Sequence, residues 1–250
     1  MKNIEVHKSK RRINVSDVDF NSKLRLDNIF NILQNEALEH SEKIGVGFKT
    51  YMKKSQTWVL TWAKIKINQY PEFEDEIEIH TWLKKIFKLY TLRDFTFFDK
   101  NKREIINAST GWLLLNLENL RPIRPEEIPE TVSFLPEKNA ISDLPQKIII
   151  KEDLKEVFRK KIYYSDIDVN FHVNNSKYIE FILNSFPIEF LKENEIEMIE
   201  LYFISDSKIN DEIEVLSNHT INNQDAFFKI RNKTKNSVVL RANIKLRKIG

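Results

Sequence analysis

Apolar and polar residues alternate over several long stretches of this chain. In "TWVLTWAKIKINQY", which begins at Thr57, Ala63, Ile65 and Ile67 alternate with Lys64, Lys66 and Asn68. "DEIEIHTW", "KLYTLRDFTFFDK" and "EIINASTGWLLLN" follow in the first half; "EMIELYFIS", "DEIEVLSN", "DAFFKIRN" and "SVVLRANIKLRK" occupy the second. A period of two over many residues, broken by short polar turns, predicts antiparallel strands with one wet face. Two stretches carry a longer period. Ile29, Phe30, Leu33, Ala37 and Ile44 predict a helix from Leu26 to about Ile44, with Gly45 as its stop. Tyr178, Phe181, Ile182 and Phe186 predict a second, from about Asn174 to Phe186, roughly 20 Å long and ended by Pro187. Each sheet needs a helix to bury its dry face. A helix bundle is the competing arrangement, and the strand periods argue against it.

The same order of elements occurs twice. "SDVDFNSKLRLDNIFNILQN" from Ser16 and "SDIDVNFHVNNSKYIEFILN" from Ser165 align at an offset of 149 without a gap. Ser16, Asp17, Asp19 and Asn21 match Ser165, Asp166, Asp168 and Asn170. "DEIEI" from Asp75 returns as "DEIEV" from Asp211 at a shorter offset, which marks a deletion. The expected fold class is therefore α+β, a tandem double hotdog in which each half is a long helix wrapped by a curved antiparallel sheet. Residues 1–120 are the expected N-terminal hotdog and 152–250 the C-terminal one. The Pro-richer, aperiodic stretch 121–151 is the linker.

Composition works mainly by exclusion. Charges nearly cancel, to +3, which removes the case for nucleic acid. Cysteine is absent, so disulfides, thiolate metal sites and a thiol nucleophile are all excluded. The five His are scattered without a paired ligand motif, and no Gly-rich phosphate loop occurs; neither metal nor cofactor is expected. The segment "MKNIEVHKSKRRINV" lacks an apolar h-region, and no apolar run is long enough to span a bilayer. The expectation is a soluble, cytoplasmic protein.

Where the two copies differ, candidate chemistry appears. The first has Lys23 where the second has His172, and Arg25 and Leu26 where the second has Asn174 and Asn175. The shared Asp and Asn read as loop-closing residues, and Asn174 or Asn175 as a helix cap. A lone loop His is ordinarily just solvated. Here Asp168, Asn170 and His172 alternate, which would project them from one side of an extended segment. The segment runs into a helix N-terminus, where N–H groups around Val173 and Asn174 would receive an oxyanion. Asp206, within the strand-like "FISDSKINDEIEV", is the acid available to activate water, with simple solvation as the equal alternative. Ser207 would face the opposite way.

The residues also carry a resemblance. "DVNFHVNNSKYIEFILNSFP", "WAKIKINQYPEFEDEIEIHTW", "LRDF" and "STGWLLLN" resemble segments of the acyl-acyl-carrier-protein thioesterases of plants and bacteria. The resemblance implies a double-hotdog enzyme. It would hydrolyse the thioester between a fatty acyl chain and carrier-protein phosphopantetheine, releasing free fatty acid in fatty acid biosynthesis. Family catalytic roles fall on Asp168, Asn170, His172 and Asp206, and the family's neighbouring Cys falls on Ser207. The departure from Cys favours attack by water, with Asp206, or Asp206 together with His172, as general base. The resemblance places the acyl tunnel mostly in the first half, with Ile29, Phe30, Leu33, Trp58 and Trp62 as candidate lining and core packing as the plainer reading of each. Lys53, Lys54, Lys84, Lys85 and the Arg159–Lys161 run are candidates to meet an acidic carrier protein. An acyl-CoA thioesterase of the same fold and a noncatalytic acyl-binding hotdog are the alternatives, and a homodimer is left open.

Overall fold

Every alternating stretch forms a strand. The computed structural model describes residues 4–124, 128–151, 153–219 and 224–249. Its contacts group residues 1–25 and 29–145 into one unit, and 26–28 and 146–250 into a second. The first unit contains β1 (Val6–Arg12), α2 (Phe48–Met52), β2 (Gln56–Ile67), β3 (Glu76–Phe87), β4 (Tyr90–Phe98) and β5 (Glu104–Asn116), with most of α1 (Leu26–Lys43). The second contains β6 (Lys155–Lys161), α3 (Asn175–Leu183), α4 (Ile188–Glu193), β7 (Asn194–Phe203), β8 (Glu212–Ser217), β9 (Asp225–Asn232) and β10 (Ser237–Lys248).

The two units have the same topology. Strands of the first run β1-β3-β4-β5-β2, those of the second β6-β8-β9-β10-β7, and the pairings are antiparallel. Each is the α+β hotdog arrangement expected. The alternation sets which side chains enter the core: Ala63, Ile65 and Ile67 are buried on β2, and Ala226, Phe228 and Ile230 on β9. Helix α1 buries Ile29, Phe30, Leu33 and Ala37 and stops where Gly45 takes φ 81, a conformation that costs glycine little. It joins β4 directly, because Arg93 reaches both His40 and Ser41.

Two features differ from the sequence reading. The edge strands β1 and β6 were not foreseen: "VHKSKRR" and "KEVFRKK" lack an apolar period. Charged edge strands are the usual protection against pairing with another chain. The second helix is also shorter than expected, nine residues, or about 14 Å. Ser185 turns its hydroxyl back onto the Ile182 carbonyl at 2.6 Å, competing with the helical ladder. Pro187 does not end this helix; it stands at the start of α4.

The stretch 121–151, expected to be a linker, includes residues 125–127, which lie outside the described ones, as does the expected boundary at 152. Much of the remainder is a strap on the first unit's sheet. Leu135 N–H donates to the Leu83 carbonyl (2.9 Å), and Trp82 Nε1–H donates to the Lys138 carbonyl (2.9 Å). Lys138 lies over the Trp82 ring, 4.5 Å from its centroid. Lys84, fully buried, sits 3.3 Å from the buried Asp94 carboxylate and donates to the Ile141 carbonyl.

Candidate active site

The duplicated segments fold into the same tight turn, and its hydrogen bonds identify the shared residues. Asp19 Oδ1 accepts the Asn21 N–H at 2.8 Å, and Asp168 Oδ1 accepts the Asn170 N–H at 2.8 Å. Asp19 N–H donates to the Lys23 carbonyl (2.9 Å), and Asp168 N–H to the His172 carbonyl (2.8 Å). Ser22 and Phe171, at matching positions, both have φ 60. One layer below, Asp17 pairs with Arg11 (3.0 Å) and Asp166 with Lys160 (2.7 Å). These acids hold backbone in both copies.

The segment is therefore not extended, and the projection of Asp168, Asn170 and His172 from one side does not occur. A left-handed residue at 171 reverses the chain between them. The Asp168 side chain serves the turn. Asn170 is exposed, and its side chain has no hydrogen-bond partner among the described residues. His172 lies on the return arm, fixed by the Ile167–Val173 bridge.

There the imidazole meets an acid from another element. His172 Nε2 lies 3.3 Å from Asp206 Oδ2. Asp206 does not interrupt a strand, because β7 ends at Phe203 and the acid lies in the irregular segment beyond. Val173 N–H donates to the Ser207 carbonyl at 2.9 Å, which clamps this segment to the turn. The first copy has the same clamp, Leu24 N–H to the Pro71 carbonyl at 2.8 Å, but with Lys23 and Tyr70 at the positions of His172 and Asp206. The fold is repeated and the imidazole–carboxylate pair is not. Both members are about half exposed, so water reaches them. Lys235, which the sequence reading missed, places Nζ 3.6 Å from Asp206 Oδ2 and 3.5 Å from Asp211 Oδ2. Its signal was its place in the "NKTKNS" turn that repeats "DKNKRE".

Other expectations need correction. The N–H groups of Val173 and Asn174 are already donated, to Ser207 and Asp166 carbonyls at 2.9 Å each, so they are not open to an oxyanion. Asn174 is the helix cap, its Oδ1 accepting from the Ser176 N–H (3.0 Å) and hydroxyl (2.9 Å). Ser207 is completely buried and accepts from Asn232 Nδ2 at 3.1 Å.

An apolar pocket opens in the first unit. A stripe of α1 forms one wall (Gln34, Ala37, Leu38 and Ser41), and Leu83, Thr91, Arg93 and Trp112 from β3 to β5 form another. Of the five side chains expected to line an acyl tunnel, Trp58 does so, donating its Nε1–H to the Val46 carbonyl at 2.8 Å. Ile29, Phe30, Leu33 and Trp62 are sealed in the core instead. Among the cations, Lys84 is buried beside Asp94 and cannot meet a partner. Arg159 and Lys160 are engaged by Glu156 and Asp166, while Lys53, Lys54 and Lys161 are exposed.

Known proteins share both the sequence and the fold. Residues 4–132 match the acyl-ACP thioesterase N-terminal domain, and residues 150–248 the acyl-ACP thioesterase C-terminal domain. The chain is 35% identical over 185 residues to a chloroplastic acyl-acyl-carrier-protein hydrolase of Cuphea viscosissima, covering 68% of this chain and 44% of that protein. It is 30% identical over 244 residues to a chloroplastic oleoyl-acyl carrier protein thioesterase of Coriandrum sativum, covering 90% and 65%. The chain thus spans roughly half to two thirds of these relatives' length. The crystal structure of an acyl-ACP thioesterase from Bacteroides thetaiotaomicron superposes with a TM-score of 0.89 at 26% identity, covering 97% of this chain and 98% of that one. The 12:0-ACP thioesterase from Umbellularia californica shares the fold, with a TM-score of 0.84 at 20% identity over 98% of both chains. With both domain models matched in order along nearly all its residues, the chain belongs to the acyl-ACP thioesterase family.

Proposed function

We propose that this protein is a thioester hydrolase that releases free fatty acid from acyl-carrier protein. Family membership supports the substrate class. The observation that carries the site is the His172–Asp206 pair, held at 3.3 Å in the second copy and replaced by Lys23 and Tyr70 in the first. In this reading Asp206 takes a proton from water as the water oxygen attacks the thioester carbonyl. The tetrahedral intermediate collapses with cleavage of the C–S bond, and the proton held at Asp206 and His172 passes to the departing sulfur, giving a carboxylic acid and the phosphopantetheine thiol. His172 places the water against Asp206 and shares its proton. Lys235 Nζ stands 3.6 Å from the same carboxylate oxygen, on the edge of the pair. Asp168 holds the turn that carries His172, and Asn170 stands at its exposed edge to position substrate. Water is the nucleophile in this reading, because both hydroxyls next to the acid are engaged: Ser207 is buried and accepts from Asn232, and Ser205 donates to the Val238 carbonyl at 3.0 Å.

The pocket beside Trp58 is the acyl-chain receptacle in this reading, supported by its apolar walls. Lys53, Lys54 and Lys161, with the half-buried Lys85, are the cations left to meet the carrier protein. The same reading puts the enzyme in the cytoplasm, which cell fractionation checks. The decisive experiment is a thioesterase screen on acyl-carrier-protein substrates of graded chain length, with acyl-CoA of matched length as comparison. Turnover of the carrier-protein series is expected, together with a loss in Asp206→Asn of roughly a hundred- to ten-thousand-fold. Faster turnover of acyl-CoA would move the substrate to CoA. Tight acyl binding without turnover, unchanged in His172→Ala, would replace the enzyme with a binding protein.

A further inference from the structure

Asp206 stands in an irregular segment, so its place against His172 depends on what ties that segment down. The Val173 N–H grips the carbonyl of the next residue, Ser207. A further tie comes from Asn232, fully buried at the end of β9. Its Nδ2 donates to Asp211 Oδ2 at 2.7 Å and to Ser207 Oγ at 3.1 Å, and its Oδ1 accepts the Lys235 N–H at 2.9 Å. With both donors engaged, the amide has one orientation. Every partner bears on the acid. Ser207 follows it in the chain. Asp211 closes the segment by accepting the Lys208 N–H at 2.8 Å, and Lys235 Nζ lies within 3.6 Å of both carboxylates. The bond to Asp211 is the strong one. Burial pushes the Asp211 pKa up, but the Lys208 N–H, the Asn232 amide and Lys235 together bring it below the usual carboxylate range. The amide therefore meets an ionised acceptor, and such bonds are about twice as strong as neutral ones.

The first copy lacks this tie at the same place. Asp99 opens "DKNKRE" where Asn232 opens "NKTKNS". The Asp99 carboxylate accepts from the Asn101 N–H (2.8 Å), the Arg103 N–H (2.9 Å) and the Arg103 Nε–H (2.7 Å), all within its own turn. A carboxylate has no proton to give to Asp75, the counterpart of Asp211. The closure below it is shared, because Asp75 Oδ2 accepts the Glu72 N–H at 2.8 Å. The buried amide thus goes with the copy that carries the imidazole–carboxylate pair. We propose that Asn232 is a positioning residue of the hydrolytic site, tying the Asp206 segment to the β9–β10 turn so that the acid keeps its place against His172. Its effect on turnover rests on the hydrolase reading above; its effect on the His172–Asp206 contact does not.

The test compares Asn232→Ala with the exchanged pair Asn232→Asp/Asp211→Asn, which restores a hydrogen bond between the two positions with donor and acceptor reversed. Asn232→Ala is expected to lower kcat on an acyl-carrier-protein substrate roughly ten- to a hundred-fold, the scale of a misplacement of about 1 Å, with KM changed less than about two-fold. The exchanged pair is expected to recover most of that loss, and Asp99→Ala in the first copy to leave kcat unchanged. A second readout needs no substrate. The nitrogen resonances of the His172 imidazole, assigned with His172→Gln, are expected to move in Asn232→Ala and to return in the exchanged pair. Unchanged imidazole resonances in folded Asn232→Ala overturn the proposal, and so does an unchanged kcat. Should that variant not fold, Asn232→Ser takes its place; should neither fold, the exchanged pair decides, with near-normal kcat in support and a folded but inactive protein against. An unmodified protein that turns over no acyl thioester overturns the hydrolase reading, and the imidazole resonances then decide the positioning alone.

Discussion

Phe171 sits in the left-handed region at φ 60 with its ring 81% exposed. The first copy places Ser22 there with the same φ, so the turn itself demands the conformation. A Cβ makes that backbone unfavourable, and an exposed ring returns little packing. Phe171→Gly is expected to raise stability by about 0.5–1 kcal/mol in urea denaturation. Asn174→Ala removes the cap of α3 and is expected to cost about 1 kcal/mol in the same measurement. Ser207→Ala is expected to keep its turnover with no covalent acyl intermediate detectable by mass spectrometry; an inactive, folded variant would count against attack by water. His40 gives a pH dependence. Its pKa falls from 6.5 in the unfolded chain to about 4 in the fold, so the unfolded state binds the extra proton as pH drops through this window. Stability is therefore lost on acidification, by about 2 kcal/mol between pH 7 and pH 5 from this group. Buried His7 and half-buried His219, also lowered chiefly by burial, act in the same direction. Urea midpoints compared with those of His40→Gln isolate its share. The role of Asp168 was readable only in part, because sequence spacing did not reveal the reversal at Phe171.

At the scale of elements, the strap on β3 and β4 depends on a pair that burial makes asymmetric. Burial pushes the Asp94 pKa up, while Lys84 and the Ala140 N–H, at 2.8 Å, favour its ionised form. Lys84→Met leaves this acid unpaired in the core and is expected to cost about 3–5 kcal/mol. Adding Asp94→Asn is expected to restore part of that loss, measured as a double-mutant cycle. The strands with an apolar period were readable from the sequence, often to within two residues. Strands β1 and β6 were not, because an edge strand is selected for charge rather than for burial. The length of α3 was misjudged for a different reason. Periodicity persisted through Phe186, but that ring packs against Phe190 and Phe228 from a turn, and side-chain spacing alone does not distinguish a turn from one more helical turn.

Across the whole molecule, positive and negative charges nearly cancel, to +3. Lys53, Lys54 and Lys161 remain exposed after ion pairing has taken others. If they steer an acidic carrier protein, kcat/KM on that substrate is expected to fall as salt rises from 0.05 to 0.5 M, roughly, while small acyl thioesters change little. Equal salt response for both substrates would remove these lysines from docking. The sequence by itself determined the duplication, the strand faces, the loop-closing role of the shared Asp, and which copy carries the imidazole. All of these are local: they depend on residue type and short spacing, where steric and burial preferences act directly. Only the tertiary structure decided that Asp206 reaches His172, that the Val173 and Asn174 amides are already spent, and that Lys84 is interior while Lys53 is not. It alone brought the Asn232 amide onto Asp211. Those outcomes depend on long-range backbone pairing, which brings distant groups within hydrogen-bond range and fixes what remains for solvent or ligand.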